Sequence, residues 1–212
     1  MTDEEQLSSA LARHAIELPP EQIAQLDRFR AALWAWNEKL NLTRHTDYEK
    51  FVTRDVVDSL ALEPFLDPGI RVLDVGTGGG VPGMILAIVR PDLEVTACDS
   101  VAKRARAAEA IATEAEIDMR VVHAPAQELL NDEFFDALLA RAVAPLPKLL
   151  RWFEPHWDSI GQLLLVKGRS WIDERLAARE AGLMHGLELR KLASYRTVGT
   201  GAESVILRIR PT

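Results

Sequence analysis

The run at residues 70–83, IRVLDVGTGGGVPG, constrains the fold more than any other part of the chain. It opens with a short apolar stretch rich in β-branched residues, continues with Asp74, and ends in a loop with five glycines. The apolar stretch predicts a buried strand. The glycines suit a tight turn in which a ligand can approach the backbone. Because Pro82 stands where a helix would begin, the run predicts a strand, a loop and a helix.

The glycine spacing leaves more than one ligand open. Gly78, Gly80 and Gly83 fit G-x-G-x-x-G, which is typical of dinucleotide sites. Two features argue against a dinucleotide: the Asp74 carboxylate would repel a pyrophosphate, and Pro82 lacks an N–H donor. A cationic ligand with its own carboxylate would suit Asp74 together with a helix start. S-adenosylmethionine (AdoMet) has these charges; the structural alternative is a turn that binds nothing.

Composition narrows the class of protein. With 212 residues and 48% hydrophobic composition, the chain can bury the core of one domain with an appendage. We find no apolar segment of about 18 residues and no signal pattern, and therefore expect a cytoplasmic protein with no membrane span. The single cysteine, Cys98, excludes an internal disulfide, and the five scattered histidines predict no metal site.

The net charge of −7 argues against a protein that binds bare nucleic acid through its overall charge. A local basic region remains possible, because residues 141–169 carry more cationic than acidic side chains. Its charged members are Arg141, Lys148, Arg151, Lys167 and Arg169 against Glu154 and Asp158.

The order of predicted elements indicates an α/β fold with an N-terminal helical extension. Residues 1–68 form the helical region, in which Thr2 with Glu5 and Thr46 with Glu49 could cap helices. Residues 69–212 form the second domain, where strands at 93–98, 119–123, 136–140 and 161–166 alternate with helices. Two last strands, at 188–196 and 204–210, suit an antiparallel hairpin. This alternation predicts a doubly wound, mainly parallel sheet with ligands at the carboxyl ends of its strands.

Three polar positions follow predicted strands at that edge of the sheet. Asp99 comes 25 residues after Asp74 (99 minus 74), close to the offset at which an acid reaches a ribose in such folds. The predicted turn at 123–128 could present the Gln127 amide to an adenine. Arg141 ends the fourth strand, and a lone arginine there is costly without an anionic partner. We therefore favour a role for Arg141 in the cleft over one in a surface salt bridge.

Several motifs together resemble the RsmG (GidB) family. They are Trp36-Asn37, Asn41-Leu42-Thr43, Arg54 with Asp58-Ser59-Leu60, the loop at 74–83, Asp99-Ser100 with Lys103-Arg104, Arg141-Ala142 and Lys167-Gly168. The family comprises bacterial AdoMet-dependent methyltransferases that modify N7 of a guanine in 16S ribosomal RNA. The resemblance implies a Rossmann-like class I methyltransferase fold with a seven-stranded sheet. It also implies AdoMet contacts at Gly76, Val81, Ala126, Gln127 and Arg141. One departure is Asp55, where the family usually has histidine.

The residues that other methylation chemistries need are missing. Cys98 is predicted to be buried on the wrong strand for a thiolate nucleophile. Residues 141–144 read Arg-Ala-Val-Ala. They do not match the Asn/Asp-Pro-Pro-aromatic motif of adenine-N6 methyltransferases, and they contain no acidic residue of the kind that ribose methylation needs. Guanine N7 carries its own lone pair, so an N7 enzyme needs no general base and depends on positioning.

We accordingly predict the following roles. Arg141 is the catalytic residue and orients cofactor or base. Asp74, Gly76, Gly78, Val81, Asp99, Ala126, Gln127 and Arg141 bind AdoMet, with Asp74 favouring its positive charge and Asp99 holding its ribose. Lys103, Arg104, Lys167 and Arg169 contact RNA phosphates.

The expected partner is small-subunit ribosomal RNA or a partly assembled small ribosomal subunit, and we expect a monomer. Two alternatives remain open from the sequence. They are a dinucleotide-dependent oxidoreductase and a non-catalytic, ribosome-associated RNA-binding module.

Overall fold

The amino-terminal part is helical in the computed structural model, which describes residues 3–196 and 201–212. Helix α1 spans Asp3–Arg13 and α2 spans Pro20–Leu40. A third helical segment begins as α3, Tyr48–Lys50, widens into a π-helix at Phe51–Val56, and continues as α4, Val57–Leu60. A short 3₁₀ turn at Glu63–Phe65 leads to the sheet. This confirms the predicted helical character of the region before residue 69.

Helix α1 ends at Arg13, because Ala15 adopts φ +52° and the Ile16 N–H donates to the Leu11 carbonyl, which closes the helix. One predicted helix cap is wrong. Asp47, not Thr46, caps α3: its side chain accepts a hydrogen bond from the Lys50 N–H. Glu49 instead pairs with Arg13 at the end of α1 and with His14, which follows it. The other predicted cap involves Thr2, which lies outside the described residues.

The remaining elements alternate as predicted. The strands are β1 Arg71–Val75, β2 Glu94–Cys98, β3 Arg120–Val122, β4 Phe135–Arg141, β5 Ile160–Lys167, β6 Leu187–Arg196 and β7 Glu203–Pro211. The helices are α5 Gly83–Val89, α6 Ala102–Glu114, α7 Ala126–Leu130, α8 Leu146–Phe153 and α9 Trp171–Glu180, with a 3₁₀ turn at Glu154–Ser159. The predicted turn at 123–128 therefore contains the start of a short helix, α7.

The seven strands form one sheet in the order β3-β2-β1-β4-β5-β7-β6. The first five are parallel, β7 is antiparallel to β5, and β6 is antiparallel to β7. This confirms the predicted mainly parallel sheet with a carboxyl-terminal hairpin. Register places Asp74 beside Ala97 of β2 and Leu139 of β4, so β1 is central and the loops after β1, β2 and β4 are neighbours.

Both faces of the sheet are buried, which explains the continuous apolar runs of its strands. Leu73, Leu138 and Leu165 point to one face and pack with α7, α8 and α9. Val72, Leu139 and Leu164 point to the other face, in a cluster with Leu62 and Leu66. A further cluster joins α1 and α2 to α5 and α6. The amino-terminal helices thus share core with the helices of the sheet domain.

Candidate functional site

The loop after β1 exposes bare backbone at the carboxyl edge of the sheet. Gly76, Gly78 and Gly80 have φ of +64°, +56° and +92°, which only glycine adopts without strain. A Cβ on Gly76 would lie 3.2 Å from Val143, while a Cβ on Gly78 would meet nothing closer than 3.9 Å. The space beside Gly78 is therefore open. Because glycine has no side chain to fill it, this space is available to a ligand.

Asp74 lies beneath this loop. Its Oδ2 accepts hydrogen bonds from the Thr77 hydroxyl (2.6 Å) and the Gly83 N–H (3.1 Å), and its Oδ1 is buried without a partner among the described residues. Burial raises the pKa of Asp74 to about 6, against the opposing effect of these hydrogen bonds. The carboxylate is therefore mainly ionised at neutral pH, and it ties the strand end to the start of α5.

Asp99 follows β2 and is almost fully buried. Its Oδ2 accepts from the Gly78 N–H at 3.1 Å and its Oδ1 from the Val101 N–H at 2.8 Å. The carboxylate thereby fixes the glycine loop to the turn before α6. Each oxygen keeps a lone pair with which it can accept from a ligand hydroxyl. Cys98, beside it, is buried as predicted, and burial raises the pKa of its thiol to about 12, so that it is no nucleophile.

Two small cavities meet at Gly76. The first, which we call the β1–β3 cavity, has a volume of about 260 Å³ and lies between the loops after β1, β2 and β3. Its lining includes Gly76, Asp99, Ala126, Gln127, Val143 and Trp152. The second, the glycine-loop cavity, has a volume of about 220 Å³ and its lining includes Thr43, Gly76, Gly78, Val81, Arg104 and Arg141. The structure therefore brings most of the predicted cofactor residues to two adjoining cavities.

A third and larger cavity, the β4–β5 cavity, lies on the other side of Arg141. Its volume is about 750 Å³, and the loops after β4 and β5 line it together with residues 201–204. Lys167 holds these loops together, because its Nζ donates at 2.7 Å to both the Ala144 carbonyl and Glu174. Arg169 and Ser170 lie exposed at its rim.

Arg141 ends β4 in a nearly buried cluster of charges. Its guanidinium donates to Asp55 Oδ1 at 2.6 Å, to Asp58 Oδ2 at 3.0 Å and to the Arg54 carbonyl at 3.3 Å. Burial by itself would lower the pKa of Arg141, but the charges of Asp55 and Asp58 outweigh it and raise that pKa. The arginine is therefore permanently charged. The anionic partners that sequence reasoning required for it are these two aspartates.

Not every predicted residue lies in a cavity. Lys103 is exposed on α6 and lines none of the three cavities, whereas Arg104 lines the glycine-loop cavity. Sequence reasoning missed Val143 and Trp152 in the cofactor region and the partners of Arg141. Two features of the sequence could have indicated the partners of Arg141. One is the i, i+4 spacing of Arg54 and Asp58, whose side chains lie 3.9 Å apart in the structure, and the other is the aspartate at position 55, where the family usually has histidine.

The residues present fit AdoMet. Bare glycine backbone, two carboxylates near the loop and an amide at Gln127 match a ligand with cationic, hydroxyl and adenine groups. Within residues 3–196 and 201–212, no three His, Cys, Asp or Glu side chains are grouped to hold a metal ion. In the described part of the chain, no helix combines the length and apolar character that crossing a membrane requires.

Solved structures with a similar fold include methyltransferases. An O-methyltransferase from Bacillus cereus in complex with SAH aligns with a TM-score of 0.62 over 99% of this chain and 100% of that chain, at 14% identity. TrmN from Thermus thermophilus aligns with a TM-score of 0.53 over 73% of this chain and 48% of that chain, at 22% identity. At these identities the likeness establishes the fold alone.

Proteins related by sequence have higher identities to this chain than these solved structures. The chain is 44% identical to the ribosomal RNA small subunit methyltransferase G of Rhodopirellula baltica, over 90% of this chain and 82% of the relative. It is 36% identical to the protein of the same name from an Anaeromyxobacter species, over 96% of this chain and 95% of the relative. The model of the GidB family, described as rRNA small subunit methyltransferase G, matches residues 22–202. The chain therefore belongs to the GidB family of rRNA small subunit methyltransferase G proteins.

Proposed function

We propose that this protein methylates N7 of a guanine in 16S ribosomal RNA, with AdoMet as the methyl donor. The observation that carries the proposal is the pair of cavities that meet at Gly76, in a chain of this family. They combine bare glycine backbone, the Asp99 carboxylate and the Arg141 guanidinium at the carboxyl edge of the sheet. That edge is where doubly wound sheets bind their ligands.

When bound, AdoMet supplies an electrophilic methyl group on a positively charged sulfur. We assign its binding to Gly76, Gly78, Val81, Asp99, Ala126 and Gln127, with Arg141 at the end of the glycine-loop cavity. Asp99 can accept from ribose hydroxyls while it keeps its bonds to the loop. Asp74 contributes a negative charge beneath the loop and holds the loop in shape.

The reaction requires no proton transfer by the protein, because guanine N7 has a lone pair of its own. The side chains around the cavities agree with this requirement: the Cys98 thiol is inert, and the Arg141 guanidinium cannot act as a base. The protein contributes by orienting the two reactants, and the rate depends on how well they are held. We assign the catalytic, orienting role to Arg141.

The RNA contacts are also part of this proposal. Arg104 and Arg169 are exposed cations that line the glycine-loop and β4–β5 cavities, and Lys103 is exposed beside Arg104 on α6. Lys167 lies between the loops of the β4–β5 cavity. Since the protein carries a net charge of −7, we propose a partly assembled small subunit as substrate, in which shape supplements charge. We propose that the protein acts as a monomer in the cytoplasm, where its substrate is assembled.

The test is methyl transfer from labelled AdoMet to small-subunit RNA, both naked and partly assembled, from cells that lack this protein. We expect one guanine to be modified at N7, detected by reduction and chain cleavage specific for 7-methylguanine. The Arg141→Ala variant leaves Asp55 and Asp58 without their cation and should have a lower melting temperature. It should lose transfer even below that temperature, where its circular dichroism spectrum shows that it is folded. RNA binding without transfer, or a methyl group on another atom, would contradict the proposal.

The oxidoreductase alternative is tested by thermal unfolding. We expect AdoMet to raise the melting temperature, because a ligand that binds only the folded state stabilises it. NADH should leave the melting temperature unchanged. The reverse result would reject AdoMet as the cofactor.

A further inference from the structure

Five side chains form a connected network around the end of β4. Asp55 Oδ1 accepts from His45 Nδ1 (2.8 Å) as well as from Arg141 (2.6 Å). Asp58 accepts from Arg141 through Oδ2 and from the Tyr195 hydroxyl (2.7 Å) through Oδ1. The network thereby joins the loop before α3, the π-helical segment, α4, β4 and β6. It connects the amino-terminal helical region to the end of β4 and to the carboxyl-terminal hairpin.

Asp55 is the most deeply buried member of this network. Its side chain has 0% exposure, and its Oδ2 has no partner among the described residues. An ionised carboxylate in such a place is stable only if cations or donors surround it. The Arg141 guanidinium and the His45 ring fulfil that condition. Asp55 therefore depends on Arg141, and the orientation of Arg141 depends on Asp55.

The two aspartates fix the plane of the guanidinium. Asp55 accepts from one terminal nitrogen of Arg141 and Asp58 from the other, while the Arg54 carbonyl takes a further N–H of the second nitrogen. Two carboxylates on two nitrogens restrict a planar fork in a way that one carboxylate cannot. Three of the five N–H groups are used by these acceptors, which leaves donor capacity for a ligand.

Arg141 lies between two cavities. It lines both the glycine-loop cavity and the β4–β5 cavity, so its guanidinium stands between the place assigned to the cofactor and the larger cavity. We propose that Asp55, supported by His45, is a positioning residue for methyl transfer, because it holds Arg141 at this partition. This inference rests on the proposed function and extends it to Asp55 and His45, which line none of the three cavities.

The decisive variant is Asp55→Asn, which keeps the side-chain shape and removes the charge. We expect kcat for methyl transfer to fall by about tenfold or more, because misplacement of an orienting group reduces the rate of the chemical step. The KM for AdoMet should change by less than about threefold, since Arg141 is only one of the residues assigned to AdoMet binding and the others are untouched. Asp55→Glu, which restores the charge, should recover part of the loss.

The chain offers a matched control in Asp27→Asn. Asp27 pairs with Arg30, a buried arginine whose other carboxylate partner is Asp3, and this cluster lies on α1 and α2 away from the cavities. Removing its charge should lower the melting temperature and leave kcat as in the unchanged protein. A purely structural role for Asp55 would give the same pattern as Asp27.

His45→Ala is the second variant, because His45 is partly exposed and its loss should not prevent folding. We expect a smaller fall in kcat than for Asp55→Asn, and the double variant should lose less than the two single effects combined. Normal kcat in both folded single variants, with only a lowered melting temperature as expected for Asp27→Asn, would overturn the proposal. A wild-type protein that transfers no methyl group would instead overturn the proposed function, and this inference with it.

Discussion

Asp74 illustrates how tertiary burial changes what a charged residue does. From its place before the first glycine we predicted an electrostatic role toward a cationic cofactor. In the fold its side chain faces Thr77 and Gly83, with one oxygen left without a partner among the described residues. Its charge still lies close to the loop, but its direct contacts are to the protein. The role toward the cofactor remains a prediction, and the bracing of the loop is observed.

The raised pKa of Asp74 predicts a specific dependence of stability on pH. Between the ordinary aspartate pKa of 3.8 and the folded value of about 6, the folded protein binds a proton that the unfolded chain has released. Stability contributed by this residue is therefore present at low pH and is lost as pH rises through about 6. Asp74→Asn cannot titrate, so the stability difference between wild type and variant should change over this interval.

The measurement is urea unfolding of both proteins at several pH values between about 4.5 and 7. Asp92→Asn is the control, because Arg90 lowers the pKa of Asp92 to about 2, below the interval. Its stability difference from wild type should be flat across the same range. A flat difference for Asp74→Asn as well would show that Asp74 does not bind a proton in this interval.

Asp55 shows the limit of residue-level reasoning. The sequence marked it as a departure from the family pattern, but no local pattern indicated that its partners would be His45 and Arg141. These partners lie 10 and 86 residues away along the chain. Only the folded chain brings them together.

At the scale of elements, the glycine loop was predictable and its tolerance to substitution was not. A Cβ on Gly83 would lie 2.7 Å from Asp74 Oδ2 and 2.8 Å from its Cβ. Asp74 is held by its hydrogen bonds and buried, so it cannot move away at low cost. Gly83→Ala should therefore destabilise the protein by about 2 kcal/mol, or lower its melting temperature by roughly 4 to 8 °C.

Thermal unfolding checks this prediction, with Gly168→Ala as the control for stability. A Cβ on Gly168 would meet nothing within 4 Å, so its melting temperature should stay close to that of wild type. Equal melting temperatures for Gly83→Ala and wild type would mean that α5 can shift away from β1 without cost.

The short elements explain most of the differences from prediction at this scale. Helix α7 has only five residues and the helix around Phe51–Val56 contains a π-helical segment. A helix this short is not stable by its own propensity and forms because tertiary packing holds it. The periodicity of the sequence therefore could not indicate it.

At the scale of the whole molecule, the boundary predicted at residues 68 and 69 remains a proposal. Leu33 and Phe29 of α2 belong to the same buried cluster as Ile85 of α5 and Ile111 of α6. Because the two regions share this core, we expect one cooperative unfolding transition in denaturant. Tryptophan fluorescence and far-ultraviolet circular dichroism should give coincident curves; separate transitions would support independently folding domains.

Charge is also a property of the whole molecule. Against a net charge of −7, binding to RNA should depend on a few local cations. The double variant Arg104→Ala, Arg169→Ala should reduce the slope of log affinity against log salt by roughly 0.7 to 0.9 for each phosphate that these arginines neutralise in the wild-type complex. These exposed residues test this better than Lys167, whose ammonium also holds Ala144 and Glu174.

The control is Arg13→Ala, an exposed arginine of α1 that pairs with Glu49. Its salt slope should equal that of wild type. An unchanged slope in the double variant would move the RNA-binding surface to another part of the protein.

The order of strands and helices, the glycine loop and the identity of the residues at the strand ends all follow from the sequence without the fold. Those features depend on local periodicity and on backbone conformations that only certain residues adopt. Packing of the complete chain, in contrast, was needed to pair Arg141 with Asp55 and Asp58, to join two loops through Lys167, and to bury Asp74 beneath its own loop. The pairings of Arg141 and Lys167 join separate segments, and a buried charge acquires its partner and its pKa only when the surrounding segments pack.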